Sequence, residues 1–196
     1  MTIRCLTAVI VAVLAGVQAA AQDADRPLDF AEFRGAWTLD EKATDGLRYA
    51  RDRAGQPVPV DDGGLPVART LIIATTPTEM TVTRGSAIPE VYRFDGSETQ
   101  ATDPRTGASL DSRHSFSLAA GLVALTSKTT GDSRPSGIRL TEIVTDALSL
   151  PQRNVLKVER QLASLQEPGG HLRTLAGLRN AVHTFIYRRA DDTPAR

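Results

Sequence analysis

The sequence predicts an all-β fold, a single antiparallel up-and-down barrel of about eight to nine strands. Three observations predict it. Short apolar pieces rich in Val, Ile and Thr recur along the chain, which suits pleated strands. Turn signals separate them at spacings of about 8 to 14 residues. Several pieces alternate apolar and polar side chains, the period of a sheet with one buried face.

Residues 1–21 stand apart from that pattern. Arg4 gives a positive start, an apolar run follows from Cys5 to Val17, and Ala19, Ala20 and Ala21 close it with small residues. This is the layout of a secretory signal peptide cleaved near Ala21. The run is shorter than the roughly 20 residues a membrane-spanning helix needs, and no later stretch approaches that length. The expectation is a periplasmic or secreted protein with no membrane span. Cys5 is the chain's one cysteine, so the mature chain would hold no disulfide. That suits a bacterial export better than a small eukaryotic secreted domain, which usually leans on disulfides.

Cleavage leaves about 175 of the 196 residues as a single domain, 22–196. The whole chain has no net charge at neutral pH, and its basic residues are spread rather than clustered. Nucleic-acid binding needs a basic stripe with accessible aromatics, so that partner is excluded.

Within the domain, Phe30-Ala-Glu-Phe33 reads as one helical turn and Arg34–Asp40 as the first strand, around Trp37 and Leu39. Residues 41–66 are dense in Gly, Pro and Asp, which read as a long mobile surface loop. Strands are then expected at Val67–Thr75, Met80–Arg84, Val91–Phe94, Arg113–Leu118, Leu122–Thr129, Ile138–Thr145, Val155–Leu162 and Val182–Arg189. Residues 164–180 interrupt the last hairpin. Leu172, Leu175 and Leu178 recur there every third residue, as on one helical or 3₁₀ face, so a small helical excursion is expected.

The segment Phe33-Arg34-Gly35-Ala36-Trp37 places Gly-x-Trp at the head of the first strand, just after a helical turn. It resembles the opening signature of lipocalins and related calycins, and the rest of the chain is similar to secreted bacterial proteins with lipocalin-like barrels. The pieces that carry this are Leu71-Ile72-Ile73, Tyr92 through Thr99, Leu122 through Thr126, and Ile186 through Arg189. The resemblance implies that Gly35 and Trp37 plug one barrel end, with an arginine of the last strand, Arg188 or Arg189, packed over the indole. It also implies binding of a small apolar molecule inside the barrel. A Thr-Asp-Tyr signature is not found: Thr145-Asp146-Ala147 lacks the aromatic.

Few residues point to catalysis. His114, His171 and His183 form no metal-ligand spacing, so neither metal nor cofactor is expected. Asp111-Ser112-Arg113-His114 cannot be a local triad, because Ser112 and His114 would share one strand face and Asp111 the other. Asp61 through Gly64 and Asp103 through Gly107 lack the spaced acids of a calcium loop and read as turns. Strict alternation aims Glu142 inward with Ile138, Leu140 and Val144, where Arg160 of the next strand could meet it. A bulge near Glu142 would instead turn it outward.

The tentative ligand-binding set is Tyr92, Phe94, His114, Phe116, Leu140, Glu142, Arg160 and Phe185. The leading expectation is an exported barrel that holds a small apolar or amphipathic ligand. The alternative is an envelope interaction module with a packed barrel that acts through its loops. An enzyme using Glu142 or His114 stands third.

Overall fold

The structure is a computed structural model that describes residues 28–61, 64–102, 109–119, 122–133, 138–167, 171–173 and 182–190. Residues 1–21, read above as a signal peptide, lie outside the described residues. Among the described residues, a 3₁₀ turn at Phe30–Phe33 precedes thirteen strands. They are β1 (Gly35–Leu39), β2 (Arg48–Arg51), β3 (Pro57–Val60), β4 (Thr70–Thr75), β5 (Glu79–Arg84), β6 (Glu90–Arg93) and β7 (Thr99–Thr102). After them come β8 (Ser109–Ala119), β9 (Leu122–Ser133), β10 (Ile138–Gln152), β11 (Val155–Glu167), β12 (His171–Arg173) and β13 (His183–Arg189).

Ten strands form one antiparallel path, β6-β5-β4-β1-β13-β11-β10-β9-β8-β7, with β12 added beside β11. The ends of the path curl toward each other. The Thr99 hydroxyl on β7 donates to the Val91 carbonyl on β6, and this nearly closes the barrel. The all-β antiparallel barrel is therefore the observed fold. The strand that periodicity does not mark is β7, Thr-Gln-Ala-Thr, which has no apolar side chain larger than Ala.

Two further expectations change. Within 41–66, β2 and β3 pair as a ribbon, although β3 contains Pro57 and Pro59. Both prolines turn the same edge away from β2. The Pro59 carbonyl accepts from the Val67 amide at 2.9 Å, and the Pro57 carbonyl accepts from Arg69 at 3.2 Å. Their missing N–H groups thus fall on the side where no ladder is needed. The described part of the 164–180 excursion is a strand as well: His171–Arg173 pairs with Ser164–Gln166. An edge of β11 left open beyond Arg160 gives those three residues ladder partners a helix would not use.

Alternation builds the core. In β4, Leu71 and Ile73 are buried while Thr70, Ile72 and Ala74 face out. The inward rows of β5, β6, β8, β10, β11 and β13 add Met80, Val82, Tyr92, Phe116, Leu148, Leu156, Val158 and Phe185. Each large apolar side chain removed from water contributes about 1.5–3 kcal/mol. The interior is filled by these side chains, as an eight-to-ten-strand barrel permits.

One end is stoppered. Trp37 is fully buried, and its Nε1 donates to the Phe33 carbonyl at 2.9 Å. The Arg189 guanidinium lies 4.5 Å over the indole and donates to the Arg34 carbonyl at 2.8 Å. The plug arginine is therefore Arg189 and not Arg188. Arg188 pairs across β1 with Thr38, points outward, and reaches Asp40 at 2.6 Å. Gly35 has φ 140°, and a Cβ there would stand 3.0 Å from Arg189 Nη1. We expect Gly35→Ala to destabilise the protein by about 1–3 kcal/mol through backbone strain and displacement of the guanidinium. Urea unfolding measures this, and an unchanged midpoint would refute it.

Candidate functional site

At the end of the barrel away from Trp37, the inward rows become polar. The β13 row runs from Arg189 at the plug to His183, six residues on and about 20 Å away. Arg160 of β11 stands opposite His183 and, on its other side, opposite Asp146 of β10. Arg84 ends the Met80–Val82 row of β5, and Glu90 precedes Tyr92 on β6.

These four charged groups form one network. Arg160 holds Asp146 in a fork, Nε to Oδ1 at 2.8 Å and Nη2 to Oδ2 at 3.0 Å. Arg84 Nη2 lies 3.0 Å from Asp146 Oδ2 and 3.2 Å from Glu90 Oε2. Arg84 Nε donates to both Glu90 oxygens at 3.2 Å. The Tyr92 hydroxyl donates to Glu90 Oε2 at 2.6 Å. Arg160 also lies 5.3 Å over the Phe185 ring, a contact of about 0.5–2 kcal/mol.

Asp146 is fully buried. Burial pushes its carboxyl up, but the guanidiniums of Arg160 and Arg84 outweigh this and hold it below the usual carboxylate range. Burial disfavours the charge on Arg84, yet Asp146 and Glu90 more than restore it. Desolvation raises the Tyr92 hydroxyl, with Glu90 adding to the shift. It also pushes Tyr187 up to about 12. Asp146 and the two guanidiniums thus keep their charges, and by count the network sets two guanidiniums against two carboxylates. Nη1 of Arg84 and Nη1 of Arg160 make no bond among the described residues.

Both arginines line a cleft of about 500 Å³ roofed by the ribbon. Its apolar wall is Pro57, Val58, Pro59, Pro66, Val67 and Ala68; its charged residues are Arg69, Arg84 and Arg160. No acid is among the described residues that line it. The volume lies in the range of small-molecule sites, and the lining combines apolar wall with a few fixed polar groups, as such sites do.

The expected site residues divide accordingly. Arg160 is in the network and the cleft. Tyr92 is in the network, and Phe185 supports Arg160. His114 is buried, with its ring 5.4 Å from Tyr92. Phe94 and Phe116 belong to the plug end, where Phe30 stacks on Phe94 at 4.2 Å and meets Phe116 at 5.7 Å. The side chain of Leu140 lies outside the described residues. Glu142 does not meet Arg160. It stands opposite Ser164 and Thr129 with no register shift beside it, and it is exposed. It keeps the inward parity of Asp146, but β10 has by then run past the barrel mouth. The inward carboxylate that Arg160 meets is Asp146, four residues along the same face.

Arg69, Arg84, Glu90 and Asp146 were not singled out from the sequence. Alternation marks Arg84 and Asp146, which continue the Met80–Val82 and Leu148 rows. Counting back from the turn at Arg153-Asn154 would set Asp146 opposite Gln161; a register shift between Ser149 and Gln152 brings it opposite Arg160 instead, and no sequence signal marks that shift. No family model, curated protein or solved structure matches this chain.

Proposed function

We propose that this protein is an exported, lipocalin-like barrel that binds a small amphipathic anion at its mouth, under the β2–β3 ribbon. The observation that carries this reading is the lining of the cleft: three arginines and an apolar wall, with no acid among the described lining residues; the carboxylate nearest Arg69 is that of Glu41, in an exposed pair at 3.8 Å. Asp146 and Glu90 hold Arg84 and Arg160 in place. Their spare Nη1 donors, with Arg69, suit a carboxylate or another planar anion. The prolines and valines suit a short apolar body. The ligand sits at the mouth and not in the centre, because the central space is taken by core side chains. No reaction is assigned to the site.

Decanoate is the test probe, titrated by calorimetry against decanol of equal chain length. The carboxylate is expected to bind more tightly, and Arg69→Gln to weaken it about tenfold. Arg69 is a safe choice because its side chain is half-exposed. Native mass spectrometry of protein purified from its own source should show a retained small anion. The packed interior is the one observation that favours an interaction module acting through its surface. Failure of both experiments would support that second reading.

A further inference from the structure

The buried network next to the cleft has an unused neighbour. His114 of β8 is 4 % exposed, and its Nδ1 is buried without a hydrogen-bond partner among the described residues. A buried ring nitrogen left unsatisfied costs free energy in the empty protein. Its surroundings are specific. From β6, Glu90 and Tyr92 face it; from β5, Arg84 does. Its ladder neighbours, Thr99 on β7 and Ser127 on β9, carry no charge. The imidazole therefore feels one carboxylate, one guanidinium and one phenol, and all three are members of the network.

We propose that His114 takes up a proton when an anion occupies the arginine cleft, so that binding strengthens as pH falls. This rests on the cleft reading given above. By count the empty network is neutral, with Arg84 and Arg160 against Glu90 and Asp146. A carboxylate seated on Arg84 would leave the mouth with an excess negative charge in a water-poor setting, where such an excess is costly. It would also compete with Glu90 for Arg84, which is the sole partner of Glu90 Oε1 among the described residues. A proton on His114 corrects both. It cancels the added charge and gives Glu90 a second cation.

The empty state is set against that proton. Burial holds the His114 imidazole below its ordinary range; Glu90 opposes this and Arg84 adds to it. An incoming negative charge shifts the balance upward. Between the empty and the occupied values, binding carries a proton with it. By linkage, the proton then raises anion affinity by the same factor by which the anion raises proton affinity. At and above neutral pH the ligand's own carboxyl is ionised, so there it contributes no proton of its own.

The experiment is calorimetric titration of the full protein with decanoate between about pH 5.5 and 8. Each pH is run in two buffers of different ionisation heat, neither of them an oxyanion that could itself occupy the cleft. The expected result is uptake of up to one proton per decanoate, with a dissociation constant that rises as much as tenfold per pH unit within the linked window. His114→Gln should flatten that dependence. The ring carbon resonance of His114 in the wild-type protein should move to the imidazolium position on saturation, which tests the assignment even if the variant folds poorly. Decanoate binding with no proton uptake overturns this inference and leaves the cleft reading standing. Undiminished uptake in a folded His114→Gln protein also overturns it. Absence of decanoate binding at every pH overturns both.

Discussion

Asp146→Ala is expected to cost about 3–5 kcal/mol, because it strands two buried guanidiniums at once. The wild-type carboxylate is fully buried and serves Arg160 through a fork and Arg84 through Oδ2. Removing it leaves Arg160 with only the Phe185 face and Arg84 with only Glu90. Burying an uncompensated charge is far more costly than losing a surface pair, whose worth is typically below about 1 kcal/mol. Chemical denaturation monitored by Trp37 fluorescence measures the loss, and a change under about 1 kcal/mol would show that the network is solvated. The same group sets an acid limit. Its folded pKa is depressed, so the stability it provides is present above the unfolded carboxyl value of about 3.9 and is lost as pH falls toward the lower folded value. The variant should show a flatter acid branch than the wild type.

Trp37→Ala is the second large effect, expected at about 3–5 kcal/mol. The indole is 0 % exposed and is held from three sides: the Phe33 carbonyl accepts its Nε1–H, Arg189 covers its face, and Leu71 stands across the ladder. Truncation opens a cavity under the 3₁₀ turn and leaves the Phe33 carbonyl and the guanidinium without their partner. Trp37→Phe should cost less, since it keeps most of the apolar volume and loses the N–H bond. Thermal unfolding of both variants checks the order. A Trp37→Ala protein as stable as the wild type would mean that the plug does not close the barrel. These two substitutions act at opposite ends of the molecule, so their effects should add.

The readings that survived contact with the structure were those resting on local physics. Alternation in the strand pieces gave the one buried face that Leu71 and Ile73, Met80 and Val82 now occupy, while the stopper followed from the resemblance that Gly-x-Trp carries. Readings that depended on partner identity moved. Arg189 rather than Arg188 covers Trp37, because pairing opposite Trp37 puts Arg189 in the inward row while Arg188 falls outward. Glu142 has the right parity and the wrong height: β10 extends 15 residues, and the barrel wall covers only part of it. The ribbon was hidden because prolines usually oppose strands, and only the edge they turn outward makes them tolerable.

By itself the sequence determined the class of fold and the inward and outward faces of most strands, since these follow from side-chain period; the stopper at one end was legible only through the resemblance of Gly-x-Trp to a calycin opening. Only the tertiary structure decided that Arg84, Glu90, Asp146 and Arg160 meet under a proline ribbon. Those residues come from four strands, and which strands neighbour one another, and at what stagger, is fixed by closing the sheet on itself.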